Sequence, residues 1–274
     1  MYLSCLLIDV GEDPDHPRPG RLWLRNLYHV HQRLCMAFPS DPRKHCDPQF
    51  LAPYAPEDFP EQHHLADRKK TEVDADTLAQ VHSQRDESSG FLFRIDPQPG
   101  GGVAILVQSA VKPNWDYAFR NAGYLLAAPP QVRPFAPIFA EGRRLRFRLL
   151  ANPTKKIDTI GKEERLGHTQ EELRKLKGRH GRRVPVDADQ LYQWLAGKAE
   201  SGGFSIDEGS TTVQPTYIYV NKTRNGDGQR LRSVRYDGIL KITDPARFQE
   251  TLIRGIGPGK AFGFGLLSVA PSDR

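Results

Sequence analysis

Pro129-Pro130-Gln131-Val132-Arg133-Pro134-Phe135-Ala136-Pro137 is followed within a few residues by Arg143-Arg144-Leu145-Arg146-Phe147-Arg148-Leu149-Leu150, and together these two runs set the architecture of the chain. Four prolines in nine residues cannot sustain a helix or a central strand, so residues 129–141 are read as an extended linker between two domains. Directly after it, apolar Leu145, Phe147 and Leu149 alternate with Arg144, Arg146 and Arg148. Period two is the signature of a half-buried strand, here with a basic outer face. The chain therefore divides into an N-terminal domain over residues 1–128 and a C-terminal domain over residues 142–274.

On either side of the linker, both halves give a similar element order. In the first, Tyr2 to Asp9 reads as a strand and Gly11 to Gly20 as a Pro/Gly/Asp turn. A helix from Arg21 to Ala37 follows, then strands Phe91 to Ile95 and Val103 to Ser109 joined by a turn at Pro97 to Gly102, and a short helix at Asn114 to Asn121. Between them lies a polar insertion at residues 40–88, with eleven acids against six bases. This order, β-α-β-β-α, is one strand short of a ferredoxin-like unit. In the second half, strand 143–150 precedes a helix from Asp187 to Lys198 and strands around Thr212 to Val220 and Leu231 to Ile242. A helix from Asp244 to Arg254 and a last strand from Phe264 to Val269 complete β-α-β-β-α-β. The predicted class is α+β.

Composition excludes several function classes. With 38% hydrophobic and 26% charged residues and 13 Phe, 9 Tyr and 3 Trp, the 274 residues are neither disordered throughout nor fibrous. Three scattered cysteines, Cys5, Cys35 and Cys46, build neither a disulfide framework nor paired zinc knuckles, and fit a reducing cytoplasm. Leu3 to Val10 is interrupted by Ser4, Cys5 and Asp9 and lacks the flanks of a signal peptide, and no run is long enough to span a membrane. A zinc site from Cys35, His45, Cys46, His63 and His64 fits no common ligand spacing, so no metal or other cofactor is expected.

The net charge of +6 is unevenly distributed. Residues 143–183 hold fourteen Lys and Arg against five acids, a net of +9, which leaves −3 for the rest. Arg174, Lys175, Lys177, Arg179, Arg182 and Arg183 fall in a ten-residue cluster whose charges repel one another unless water or a polyanion screens them. A solvated loop is one reading; a nucleic-acid groove shared with Arg144, Arg146 and Arg148 is the other. Farther on, Gly255, Gly257, Gly259, Gly263 and Gly265 surround Lys260. The spacing is one residue short of a nucleotide P-loop and Ala261 lacks the hydroxyl such a loop needs. Gly255 suits a helix C-cap, while the other glycines point to close backbone approach and Lys260 to phosphate.

Wound on a helix, Trp23, Leu27, Val30, Leu34, Ala37 and Phe38 share one apolar face. His31 falls on the shoulder of that face with Tyr28 further round on the same side, so both rings reach one cleft, while His29 lies opposite. A histidine so placed is either a packed core residue or an acid/base group.

Taken together, these segments resemble the CasE-type CRISPR RNA endoribonucleases of the type I-E Cascade system, within the RAMP superfamily. The resemblance runs through Met1-Tyr2-Leu3-Ser4, Tyr28-His29-Val30-His31-Gln32, Phe38-Pro39 and Leu106-Val107-Gln108-Ser109. It continues through Leu145 to Pro153, Arg182-Arg183-Val184-Pro185, Gly255 to Lys260 and Gly263 to Ser268. It implies two tandem ferredoxin-like (RRM-like) domains and metal-independent cleavage of precursor CRISPR RNA beside the repeat hairpin. In that reaction the 2′-hydroxyl attacks the neighbouring phosphorus and leaves a 2′,3′-cyclic phosphate. His31 would serve as general base or acid and Tyr28 as an orienting group, with Lys155, Lys156, Arg182 or Lys260 supplying a cation to the transition state. The implied partners are the repeat hairpin RNA, the mature crRNA and other Cascade subunits. A non-catalytic RNA-binding scaffold subunit of the same superfamily is the alternative. The insertion at 40–88 and the long basic loop at 161–181 depart from the family pattern.

Overall fold

The computed structural model of the chain describes residues 1–13, 18–38, 90–157, 169, 171–172, 182–220 and 228–272. Two compact units emerge. The first comprises Met1–Pro137 together with Ala261–Gly263, and the second Ile138–Lys260 together with Phe264–Arg274.

In the first unit, β1 (Tyr2–Ile8), β2 (Phe91–Pro97), β3 (Val103–Ser109) and β4 (Gln131–Pro134) form one antiparallel sheet in the order β2-β3-β1-β4. β4 is a correction to the expected linker: part of the segment 129–141 pairs with β1, with Leu3 opposite Arg133 and Ser4 opposite Val132. Proline is tolerated there because β4 is an edge strand, whose missing N–H can face away from the ladder. One face of this sheet packs Leu6, Ile8, Phe93, Ile105 and Val107 against Val30 and Leu34 of α2 (Leu27–Cys35) and Ala118 and Phe119 of α3 (Trp115–Phe119).

The single helix expected over residues 21–37 is two helices, α1 (Pro19–Leu24) and α2. The break lies at Asn26. Its Oδ1 accepts hydrogen bonds from the backbone N–H groups of Tyr28 and His29 at 3.1 and 3.3 Å, so Asn26 starts a new helix instead of continuing the old one. Asn114 caps α3 in the same way through the Tyr117 N–H at 3.0 Å.

In the second unit, β5 (Arg144–Ala151) pairs on one side with β11 (Leu267–Pro271) and on the other with the long β10 (Gln229–Ile242). β8 (Phe204–Ile206) and β9 (Thr212–Val220) both pair with β10, at different points along it. The period-two reading of β5 holds: Leu145, Phe147 and Leu149 are buried, Arg144 and Arg146 are exposed and Arg148 is half-buried. The buried face meets α4 (Leu191–Ser201) through Leu191, Leu195 and Ala199, and α5 (Pro245–Arg254) through Phe248 and Leu252. A separate two-stranded ribbon, β6 (Thr154–Ile157) with β7 (Arg182–Pro185), leaves the chain between β5 and α4. Among the described residues no helix is long and apolar enough to cross a membrane. Both units are thus antiparallel sheets covered on one face by helices.

Tyr236 is fully buried, and its hydroxyl donates to the Leu191 carbonyl at 3.0 Å, tying β10 to the first turn of α4. Burial raises the phenol's pKa above its usual value, so the group stays neutral and acts as a donor. Tyr236→Phe is expected to lower unfolding stability by about 1 kcal/mol in urea titration, with the slope of the transition unchanged.

Candidate active site and nucleic-acid interface

α2 carries the candidate acid/base pair. Val30 and Leu34 are fully buried and clamp one stripe of the helix to the sheet, which leaves Tyr28 and His31 half-buried on its flank. Their ring centroids lie 6.5 Å apart. His31 stacks on Phe91 at 5.5 Å and on Phe93 at 6.2 Å, and Phe38 stacks on Phe91 at 5.0 Å. One turn along the helix, the buried Cys35 Sγ lies 3.5 Å from His31 Nε2. The imidazole is therefore fixed by an aromatic floor below and a thiol beside it. His29 is exposed on the opposite side, as the helical wheel requires.

Sequence reasoning missed these supports. Cys35 is four residues from His31, the spacing that brings side chains together on a helix, and Asn26 stands where an N-cap belongs. Both signals are local. Phe91 and Phe93 belong to a strand far away in sequence, and nothing near His31 marks them.

The glycine-rich segment behaves differently from its first reading. Gly255, Gly257, Gly259, Gly263 and Gly265 all have positive φ, between 72° and 92°. The close approaches they allow are to the protein itself. A Cβ on Gly259 would lie 2.8 Å from the Phe264 ring, and one on Gly263 would lie 3.2 Å from the ring of Phe93. Phe93 stacks on His31, so Gly263, which belongs to the first unit, lies against this aromatic floor. Gly255 ends α5, its N–H donating to the Thr251 carbonyl at 2.8 Å, and Lys260 is exposed.

The expected cations of the second unit fall into two sets. On the outer sheet face the register puts Arg144 opposite Lys241, Arg146 opposite Ile239 and Arg148 opposite Asp237. Arg235 joins them through Asp237, which accepts from Arg148 Nε at 2.6 Å and from Arg235 Nε at 2.5 Å. Burial pushes the Asp237 carboxyl up, but the two guanidinium hydrogen bonds outweigh it and hold the pKa below the ordinary carboxylate range. Arg235 and Lys241 are additions to the sequence-based set, and only the strand register reveals them. Arg148 directs part of its charge to a partner inside the protein, and Arg146 Nε donates to the Pro271 carbonyl at 3.2 Å.

The second set stands on the β6–β7 ribbon. Lys156 faces Arg183 directly across it, and Lys155 and Arg182 share the other face by register. Lys155 Nζ pairs with Asp187 Oδ2 at 2.7 Å, and Arg183 donates to Thr154 Oγ1 at 3.3 Å. Like charges opposed on an exposed ribbon repel, and a polyanion relieves that repulsion. Arg174, Lys175, Lys177 and Arg179 lie outside the described residues. So do His45, Cys46, His63 and His64 of the weighed zinc site; among the described residues no cluster of three metal-ligating side chains occurs.

Comparison with known proteins places this architecture. The profile of a family described as CRISPR associated protein matches residues 60–271. The chain is 35% identical over 191 residues to the CRISPR-associated endoribonuclease Cse3 of Thermus thermophilus, covering 66% of this chain and 80% of that protein. It is 26% identical over 277 residues to the CRISPR system Cascade subunit CasE of Escherichia coli, covering 99% of this chain and 100% of that one. Among solved structures, Thermus thermophilus Cse3 bound to an RNA representing a pre-cleavage complex superposes with a TM-score of 0.62 at 26% identity, covering 98% of each chain.

Two substitutions separate positioning from charge. Asn26→Ala removes the acceptor for two N–H groups and is expected to cost about 1 kcal/mol in chemical denaturation, with Asn26→Asp restoring it. Asp237 has a lowered pKa, so its contribution is present above the ordinary carboxylate range and is lost as pH falls through the folded-state value. Asp237→Asn should therefore lower the thermal midpoint at pH 7, and the gap to the wild type should close as the solution is acidified below that value.

Proposed function

The chain belongs to the CRISPR associated protein family, and on that basis we propose that it is a CasE-type endoribonuclease that processes CRISPR RNA as a subunit of Cascade. The observation that carries the reading is the pair Tyr28 and His31, held with rings 6.5 Å apart on the flank of a capped helix. Two tandem ferredoxin-like domains are part of the same reading, the first extending past residue 128 to take in β4 and the second following it. The strand orders β2-β3-β1-β4 and β11-β5-β10-β8 support it, since each corresponds to the 4-1-3-2 order of a βαββαβ unit. A cytoplasmic setting accords with Cys5 and Cys35, which are not joined in a disulfide.

The substrate is the repeat hairpin of precursor CRISPR RNA, cut beside its stem. The 2′-hydroxyl at the scissile position loses its proton as its oxygen bonds to the adjacent phosphorus, and the P–O5′ bond breaks. The departing oxygen takes up a proton, so the products are a 2′,3′-cyclic phosphate and a 5′-hydroxyl. Because the nucleophile is part of the substrate, no metal-bound hydroxide has to be generated. What the protein must supply is proton transfer and a cation for the charge that builds on the phosphoryl oxygens. His31 serves as general base or acid, since the ordinary pKa of a histidine lies near neutrality. Tyr28 orients the reacting hydroxyl or phosphate. Lys155, Lys156, Arg182 and Lys260 are the candidates for the cation.

The stem is gripped through phosphates and shape, because the deep major groove of A-form RNA admits side chains poorly. Arg144, Arg146 and Arg148 on β5, Lys155, Lys156, Arg182 and Arg183 on the β6–β7 ribbon and, outside the described residues, Arg174, Lys175, Lys177 and Arg179 are the assigned contacts, with the cleaved product retained. The scaffold alternative lacks a use for the Tyr28–His31 pair.

Repeat RNA incubated with the protein in excess EDTA should be cut at a single position with cyclic-phosphate ends. Replacing the 2′-hydroxyl at that position by hydrogen should abolish cutting while binding persists. His31→Ala should bind RNA with near wild-type affinity and lose cleavage by at least about 10²-fold. Cutting of the deoxy substrate would remove the mechanism, and full activity of His31→Ala would reassign the acid/base group.

A further inference from the structure

β9 and β10 run on together past the end of β5, whose last partner on β10 is Val234. Beyond that point Tyr217 faces Arg232 and Tyr219 faces Arg230 across the ribbon. These positions share the parity of Val234 and Tyr236, the buried face of β10, but among the described residues no helix covers them here: Tyr217 is 44% and Tyr219 is 69% exposed. Two large aromatic rings are thus offered to solvent on one face, about 7 Å apart along the strand. The guanidinium of Arg230 lies 3.7 Å over the Tyr217 ring, and that of Arg232 lies 5.6 Å from it.

The platform is fixed to the basic hairpin. Arg232 donates one hydrogen bond to the Val186 carbonyl, directly after β7, and another to the Tyr217 hydroxyl at 3.0 Å. Asp187, the next residue, holds Lys155 of β6. A continuous run therefore leads from the ribbon assigned to the RNA stem to two exposed tyrosines flanked by arginines.

We propose that Tyr217, Tyr219, Arg230 and Arg232 form a binding site for unpaired RNA adjoining the hairpin, with a base stacked on Tyr219 and backbone phosphate held by the arginines. Two features choose this ligand. An exposed ring next to a stacked guanidinium presents flat π surfaces that accept any base, and the cations demand an anionic partner. A duplex stem hides its base faces, so the occupant is single-stranded. The proposal rests on the reading of the chain as an endoribonuclease of hairpin RNA, and it adds a second contact region outside the stem.

The test compares full-length protein binding to a repeat hairpin alone with binding to the same hairpin carrying four unpaired nucleotides on its 5′ or its 3′ side, 2-aminopurine replacing one of them in turn. The extension should raise affinity about tenfold, and 2-aminopurine at one position should be quenched on binding. Tyr219→Ala should abolish both the gain and the quenching, and Tyr219→Trp should restore them; the side chain's exposure makes both variants tolerable to the fold. A gain that survives Tyr219→Ala would overturn the site and leave this face to a protein partner. Equal binding of both RNAs would overturn the site alone, whereas failure to bind either would overturn the functional reading along with it.

Discussion

In both units the described helices pack on one face of an antiparallel sheet, and this sets where the candidate functional side chains stand. In the second unit, strand residues of one parity on β5 and β10 are apolar because they meet helices, and those of the other parity are free to carry charge. On β5 this sorts Leu145, Phe147 and Leu149 from Arg144, Arg146 and Arg148. On β10 it sorts Val234, Tyr236, Leu240 and Ile242 from Arg235, Asp237 and Lys241. The two strands lie side by side, so one face becomes a core while the other becomes a basic surface with Asp237 as its internal counter-charge. Where β10 runs past the described helices the same inward parity brings out Tyr217, Tyr219, Arg230 and Arg232.

The candidate catalytic pair inherits its position from the same arrangement. Val30 and Leu34 anchor α2, and Tyr28 and His31 are carried to the flank of the buried stripe. Stacking on Phe91 and Phe93 restricts the imidazole further, which the proposed proton transfer needs, since such a group must be held to within a fraction of an ångström. Asn26 fixes where the helix begins, hence which residues fall on that flank. Gly263 of the glycine-rich segment, distant in sequence but part of the same unit, lies against Phe93.

That segment also illustrates where local reading stops. Its composition points to close backbone approach, and close approach is what the structure has, but the neighbours are the protein's own Phe264 and Phe93. The proline-rich stretch is similarly half legible. Prolines exclude a central strand, and Gln131–Pro134 is indeed not central; nothing in the stretch itself states that β1 leaves an edge for it to fill.

What could be read from the residues alone is what short-range physics controls: the period of β5 and of α2, the relation of Tyr28 to His31, the turns, and the concentration of positive charge between Arg143 and Arg183. Each follows from residues close to one another along the chain. Which partners those elements meet was settled in three dimensions. The aromatic floor beneath His31, the addition of Arg235 and Lys241 to the basic face and the exposed tyrosines of the β9–β10 ribbon depend on registers between segments far apart in sequence. The break at Asn26 depends on competition between a side-chain cap and the continuing helix. Register and burial are set by the sum of many weak contacts across the fold, and no local pattern encodes that sum.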